Sequence, residues 1–341
     1  MTPIIPLDYS RKTVGRAGAT LQEGRYPAEE YSQALEVLSN WRASHIYPLS
    51  KIQNLLYKRA KKVDSKALIA QRLKRTPSII NKLKLMKNSQ LHRMQDIGGC
   101  RAILSDISKV YELRNNIVNK FSNHILQKED DRIKVMAESG YRSIHLIYKF
   151  QVYKHTEFNN HLIEIQLRTK LQHAWATAVE ILGTYLNEAL KSSQGSKEVL
   201  GLLKKISLLF SYHEKTYDIS PQSIGNLKAD IANDIHDLDI VTQLRAFSVT
   251  TKTIDSKKYK DGYALLYLDT TKMVVNIQWF NKNNQQHAID KYLEYEKESI
   301  DKSNDNIVLV SIENTKLLRK TYPNYFADSK YFISELEKLL Q

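Results

Sequence analysis

The sequence predicts an α+β fold, in which a mixed, mostly antiparallel sheet flanked by helices is followed by a second, smaller α+β unit. Three observations carry the prediction. Segments 143–150 and 161–168 alternate apolar and polar side chains, the period of half-buried strands. These segments are interleaved with stretches of helical period. The 341 residues suffice for about two domains, and a polar, glycine-containing stretch at 192–196 (SSQGS) punctuates the chain past its middle.

In chain order, residues 29–42 have helical periodicity, and so do residues 50–71, whose apolar positions fall largely on one face. Thr76-Pro77 breaks the chain, and Ser78 is placed to cap a helix over 79–88. Residues 99–104 read as a strand and 106–121 as a helix. The strands 143–150 and 161–168 pair across a turn at 155–160, and a long amphipathic helix covers 170–190. A helical stretch over 197–215 leads to a loop and to the second unit. That unit reads as helix 227–245, strands 246–254, 262–269 and 272–280, helix 284–301, strand 306–312, and helices 313–321 and 328–340. KDG and DTTK mark its hairpins. The expected domains are 1–195, a helical linker 196–225, and 226–341.

Composition narrows the function. The formal net charge is +14, and it is concentrated. From Lys51 to Arg101 fourteen Lys and Arg face two acids, Asp64 and Asp96. Such density suggests a polyanionic partner, either nucleotide phosphates or RNA, although a solvated helix face would also account for part of it. The single cysteine, Cys100, excludes an internal disulfide and a cysteine-based zinc site, and fits a reducing, cytoplasmic setting. No apolar run is long enough to span a membrane, and the first residues lack a signal-peptide core.

The candidate chemistry lies in the first unit. Arg72, Lys74, Arg75 and Lys82 precede and enter a helix, where the dipole also favours phosphate. Asp96 stands five residues before Arg101, and Glu164 lies mid-strand. Two carboxylates with a cation cluster suit a magnesium-bound triphosphate. There is no P-loop and no kinase glycine-rich loop, so the phosphate chemistry needs another scaffold. His236-Asp237 stands on a polar helix without partner histidines and does not read as a hydrolase site.

At these residues the chain resembles the RelA/SpoT synthetase family. R-x-K followed by S-I-x-x-K is matched by Arg72, Lys74, Ser78, Ile79 and Lys82; D-x-x-x-x-R by Asp96 and Arg101. G-Y-[QR]-S-I-H is matched by 140–145 and E-I-Q-[IL]-R-T by 164–169. The resemblance covers roughly residues 40–190. It implies transfer of pyrophosphate from ATP, with Mg²⁺, to a ribose 3′-hydroxyl. It implies that Arg72 and Arg101 contact ATP, and that Lys74, Arg75, Lys82 and Arg168 serve its phosphates. Asp96 and Glu164 would hold the metal, with Glu164 as candidate base. Tyr141 would stack on the acceptor base, and His145 would stand on the phosphate side. His173 and Glu180, two helical turns apart, are either packing residues or further site residues.

One departure bears on the acceptor. Many family members carry lysines before the stacking tyrosine that serve the 5′-phosphates of GDP or GTP. Here Asp130 and Ala137 stand at those positions, with Lys134 or Arg132 as possible substitutes. The losses fit an acceptor without a free 5′-diphosphate, as in toxic relatives that modify the 3′ CCA end of tRNA. The segment Tyr322-Pro323-Asn324-Tyr325 resembles the Tyr-x-x-Tyr of CapRel-type fused toxin–antitoxins. There a metal-free, zinc-finger-like C-terminal domain closes the ATP site until a phage capsid protein releases it. The expectation is therefore an autoinhibited tRNA pyrophosphokinase of phage defence, with Tyr322 and Tyr325 as inhibitory residues. A (p)ppGpp or (p)ppApp synthetase and a catalytically inactive RNA-binding module are the alternatives.

Overall fold

The computed structural model describes residues 4–24, 26–86, 89–121, 123–186, 190, 196–250, 252–255, 262–269, 272–298, 306–312 and 315–341. Three helices open the chain: α1 (Arg11–Glu23), α2 (Ala28–Ser44) and α3 (Ile46–Val63). Then come β1 (Leu68–Leu73), α4 (Thr76–Leu85), β2 (Gly98–Leu104), α5 (Ile107–Lys120), β3 (Ile125–Asp131), β4 (Ile144–Lys149) and β5 (Leu162–Thr169). α6 (Lys170–Tyr185), α7 (Lys197–His213), α8 (Pro221–Leu238) and α9 (Ile240–Thr250) follow. The remainder comprises β6 (Lys252–Asp255), β7 (Gly262–Asp269), β8 (Val274–Asn281), α10 (Gln285–Glu298), β9 (Asn306–Ile312), α11 (Thr315–Thr321) and α12 (Lys330–Leu340). No helix among the described residues is long and apolar enough to cross a membrane.

The first sheet has the order β1-β2-β5-β4-β3. Only β2 and β5 are parallel; the other pairs are antiparallel. The second sheet has the order β6-β8-β7-β9, with β6 and β8 parallel. The alternation of the first sheet separates its faces. Cys100, Ala102, Ile163, Ile165 and Leu146 point into a core with Ile52, Leu56 and Ala60 of α3 and Val110, Leu113 and Ile117 of α5. Phe280, Tyr292 and Ile307 of the second unit join the same apolar cluster. The opposite face presents polar side chains, and α6 and α7 wall it.

Several boundaries differ from the sequence reading. The helix expected over 50–71 ends at Val63, and 68–73 is strand β1. Asp64 stops it: the carboxylate accepts from Lys66 N, Ser105 N and Ser105 Oγ, which turns the chain back toward the sheet. Ser78 lies inside α4; the cap position is Arg75, and Pro77 occupies the first turn. The helix expected over 227–245 breaks at Asp239, which has φ 50. The strand expected over 246–254 is helical up to Thr250, because Leu244 and Phe247 join the apolar cluster of α6 and α7. That burial outweighs the β-branched residues that suggested a strand. α1 and β3 were not anticipated. The SSQGS, KDG and DTTK signals fall wholly or partly outside the described residues.

Candidate active site

Register decides which side chains meet. Arg72 of β1 lies beside Gly99 of β2, Gly99 beside Glu164 of β5, and Glu164 beside Ile147 of β4. One row on, Ala70, Arg101, Gln166 and His145 are neighbours. Because side chains alternate along a strand, Arg72, Arg101, Glu164, Gln166, Arg168 and His145 share the polar face. Gly99 contributes no side chain between Arg72 and Glu164, and this leaves the floor of the site open.

The face forms the floor of a cavity of about 380 Å³. Arg72, Lys74, Asp96, Arg101, Tyr141, His145, Glu164 and Arg168 line it. Trp175 and Glu180 of α6 and Tyr322 of the second unit complete the wall. Lys82 reaches the same carboxylate from beside the cavity. Arg75 stands at the start of α4, outside the wall, near enough to Tyr325 to oppose the rise of its hydroxyl pKa. His173 is buried and does not line the cavity.

Gly140 sets the entrance. Its φ is 88, and a Cβ there would meet Lys204 Cα at 3.1 Å and Ser207 Cβ at 3.2 Å on α7. Glycine allows both the left-handed turn and the close approach of α7. Ser207 Oγ donates to the Gly140 carbonyl at 2.5 Å, so Tyr141 enters the site from a fixed point. Behind it, Glu214 receives Arg142, Thr169 and Gln172 and ties the end of α7 to the start of α6.

The carboxylates are held differently. Asp96 Oδ2 accepts Lys74 Nζ and Lys82 Nζ, each at 2.9 Å. Burial opposes its charge, but the two lysines hold the carboxyl below the usual range. Glu164 Oε1 meets His145 Nδ1 at 2.7 Å, and Oε2 accepts Gln166 Nε2 at 2.7 Å. Burial again opposes ionisation, and the His145 hydrogen bond wins. Tyr141 Oη lies 3.1 Å from His145 Nε2, so tyrosine, histidine and carboxylate form one chain.

The arginines crowd one another. Burial first, then neighbouring Arg168, holds Arg101 below its ordinary value. Burial likewise lowers Arg168. Burial works against the Arg72 charge too, but Glu180, Tyr325, Glu164 and Asp96 overcome it. Among the described residues, buried Arg101 Nε, Arg168 Nε, Gln71 Oε1 and Asp96 Oδ1 have no hydrogen-bond partner. Such atoms cost free energy unless a ligand satisfies them. Bare donors on the arginines suit phosphate oxygens. The bare Asp96 oxygen with Glu164 suits a hard divalent cation such as Mg²⁺, which binds through one or two carboxylates plus phosphates and water. Among the described residues no group of three His, Cys, Asp or Glu converges, so a metal here would need substrate oxygens. Cys100 is buried on the far face, and burial raises its thiol pKa. His236 and Asp237 are both solvent-exposed on α8.

The second unit enters this site. Tyr322 Oη accepts from Gln71 N at 3.2 Å and donates to Gln71 O at 2.8 Å, on the open edge of β1. The Arg101 guanidinium lies 5.3 Å from the centre of the Tyr322 ring and donates to the Thr321 carbonyl. Tyr325 packs edge-on to Tyr322 at 6.5 Å, and burial pushes its hydroxyl up to about 12. A second junction lies behind β1. Arg42, fully buried, donates to the Lys74 carbonyl at 2.6 Å and to Tyr292 Oη. Its other partner is Glu296 at 3.1 Å, which also accepts from Thr76 Oγ1 at 3.1 Å.

The sequence reading did not include Gln71, Gln166 or Arg42. Gln166 was accessible, since it stands two residues from Glu164 on the same strand face. Gln71 acts through its backbone, and Arg42 sits in an ordinary amphipathic helix; neither leaves a signal in the sequence.

Residues 71–188 match the family model described as a region found in RelA / SpoT proteins. This stretch of the chain is similar to a RelA/SpoT region. That region spans β1 through α6 and contains every residue of the polar face. The GTP pyrophosphokinase YwaC of Bacillus subtilis is 33% identical over 114 residues, covering 31% of this chain and 52% of YwaC. The chain thus spans about half the length of that relative. The uncharacterized protein Rv1366 of Mycobacterium tuberculosis is 22% identical over 220 residues, covering 60% of this chain and 75% of Rv1366. Among solved structures, small alarmone synthetase 1 of Bacillus subtilis, bound to its product pppGpp, aligns with a TM-score of 0.43 at 22% identity. It covers 51% of this chain and 93% of that one.

Proposed function

We propose that the protein transfers pyrophosphate from ATP to a ribose 3′-hydroxyl, and that the acceptor is the 3′ end of tRNA. The observation that carries the reaction class is the pairing of Asp96 and Glu164 with lysines and crowded arginines on one sheet face. In the reaction, the acceptor 3′-oxygen bonds to the β-phosphorus of ATP, the bridge to the α-phosphorus breaks, and AMP departs. Glu164, on the same face, receives the hydroxyl proton. Arg72, Arg101, Lys74 and Lys82 offset the charge gathering on the phosphates. A magnesium ion held by Asp96 and Glu164 would supply further charge neutralisation there. Tyr141, hydrogen-bonded through His145 to Glu164, is placed to seat the acceptor base beside the proton acceptor.

The tRNA reading is supported by the fate of the cations near Asp130. Arg132 Nε is bound to Asp130 Oδ2 at 2.9 Å, and Lys134 lies 5.5 Å from the Tyr111 ring centre. Both side chains already have partners, which supports a site without the missing 5′-phosphate lysines. The test offers the Tyr322→Ala chain, freed of the inhibitory contact proposed below, ATP labelled at the γ-phosphate with tRNA, GDP, GTP or AMP in turn. Label is expected on tRNA, with GDP a poor acceptor. Strong labelling of GDP or GTP with none on tRNA would replace this reading by an alarmone synthetase.

We further propose that the second unit is an inhibitor of the first. The support is Tyr322, whose hydroxyl uses the Gln71 backbone as both donor and acceptor, while Arg101 covers its ring. An adenine edge would meet the same groups. Release then requires a partner with higher affinity for the undocked unit, and a virion protein such as a phage capsid protein is the proposed candidate.

A further inference from the structure

We propose that a second groove, beside the cavity, is a track for single-stranded RNA and binds the phosphates of nucleotides preceding the acceptor ribose. This rests on the RNA-acceptor reading above. The groove encloses about 580 Å³, and among the described residues no carboxylate lines it. Its cations are Lys82 of α4, Arg93 of the turn Leu91–Arg93, and Lys128 of β3. They come from three separate elements along an open trough, an arrangement suited to serial phosphates rather than to one compact triphosphate. Gln90 and Gln95 add amides that can meet base edges, and Met86, 54% exposed, adds an apolar surface for a base face.

The groove leads to the chemistry. Lys82 belongs to its wall and also grips Asp96. Gln95 immediately precedes Asp96 in the chain. Lys128 is beside Ile147, the neighbour of Glu164, so it occupies the same row of the sheet as the second carboxylate. The register of β3 shifts between Leu126 and Lys128, a bulge of the kind that re-aims a side chain. Among the described residues neither Arg93 nor Lys128 has an ion-pair partner, although other surface cations do. Two exposed cations facing a trough without acids leave its potential uncompensated, and a polyanion gains most from such a site. Among the described residues none of the second unit lines the groove, although Tyr322 is docked.

The experiment is therefore a binding measurement on the full chain, independent of turnover. A fluorescein-labelled single-stranded RNA ending in CCA is titrated by anisotropy over a range of salt concentrations. The wild-type chain is compared with Arg93→Glu/Lys128→Glu and with Lys197→Glu/Lys330→Glu. The last variant makes the same change in net charge at exposed lysines outside the groove. The groove variant is expected to bind at least about tenfold more weakly at low salt. Its log–log salt slope should fall by about 1.4, two phosphates at about 0.7 each. The control should stay within about twofold of wild type, and circular dichroism should report all three folded. Unchanged affinity and slope in the groove variant, or an equal loss in the control, would overturn the groove. Absence of label on tRNA in the transfer assay with the Tyr322→Ala chain would instead remove the acceptor assignment, so the two failures are distinct.

Discussion

One oxygen of Asp96 holds two lysines, and the other is buried without a partner. That asymmetry separates its structural role from its chemical one. Asp96→Asn keeps the shape and a carbonyl for a lysine but removes the charge; Glu164→Gln does the same beside His145. Each is expected to lower pyrophosphate transfer by on the order of 10²-fold or more, the scale of losing a preorganised electrostatic contact. Both variants should remain folded by circular dichroism. Near-wild-type turnover in either variant would refute the assignment. Asp64 has the opposite character, with no part in the chemistry. Burial opposes its charge, but bonds from Ser105 and Lys66 hold it below the ordinary carboxylate range. A depressed folded pKa contributes stability above the unfolded value of about 4, and the contribution is lost as pH falls through the folded value. Asp64→Asn should therefore cost about 1–2 kcal/mol at pH 7. The gap to wild type should narrow as urea unfolding is repeated below about pH 4. A constant gap across that range would mean that the carboxylate charge does not matter.

At the scale of elements, legibility followed burial on one side only. β4 and β5 were legible because one face is apolar and the other polar; reading Glu164 and Arg168 located both the strand and the polar face of the candidate site. β3 was not legible, because ILQKEDD is an edge strand with little apolar alternation and a bulge. β1 was hidden in the tail of a helical pattern, and the end of α3 at Val63 depends on the contact of Asp64 with Ser105, 41 residues away in the chain. Junctions between elements were the least legible, since each needs two distant partners. The Arg42–Glu296 pair is the clearest case: side-chain exposures are 1% and 7%, and α2 and α10 share no motif. Removing one member of such a pair strands a buried charge at a cost of about 3–5 kcal/mol, while replacing both can be nearly neutral. Glu296→Ala should thus loosen α10 and its sheet from β1 and α4. Hydrogen exchange should speed up in 262–298 without global unfolding. Arg42→Met/Glu296→Met should restore protection. Equal exchange in wild type and Glu296→Ala would show that the pair does not hold the junction.

At the scale of the molecule, two polar contacts on either side of β1, together with shared apolar clusters, hold the second unit over the first. Tyr322 binds the open strand edge and sits under Arg101, and Arg42 joins the back of the strand to Glu296. An intramolecular inhibitor needs no great affinity, because tethering gives it a high effective concentration. It is displaced only if a partner favours the undocked form, by as much as its affinity for the two forms differs. Tyr322→Ala removes the two hydrogen bonds to Gln71 and the ring beneath Arg101, yet leaves the Arg42 junction intact. Its expected effect is a gain: stronger ATP binding by calorimetry, and transfer raised by about tenfold or more. Tyr322→Phe keeps the ring and loses only the hydroxyl, so it should fall between Ala and wild type. Tyr325→Ala should act in the same direction through loss of packing on Tyr322. In cells, the full chain should be tolerated, and the Tyr322→Ala chain should slow growth. Adding Glu164→Gln should abolish that slowing while leaving ATP binding strong. If Tyr322→Ala binds ATP no better than wild type while remaining folded, the tyrosine does not occupy the nucleotide's place and the inhibitory reading fails.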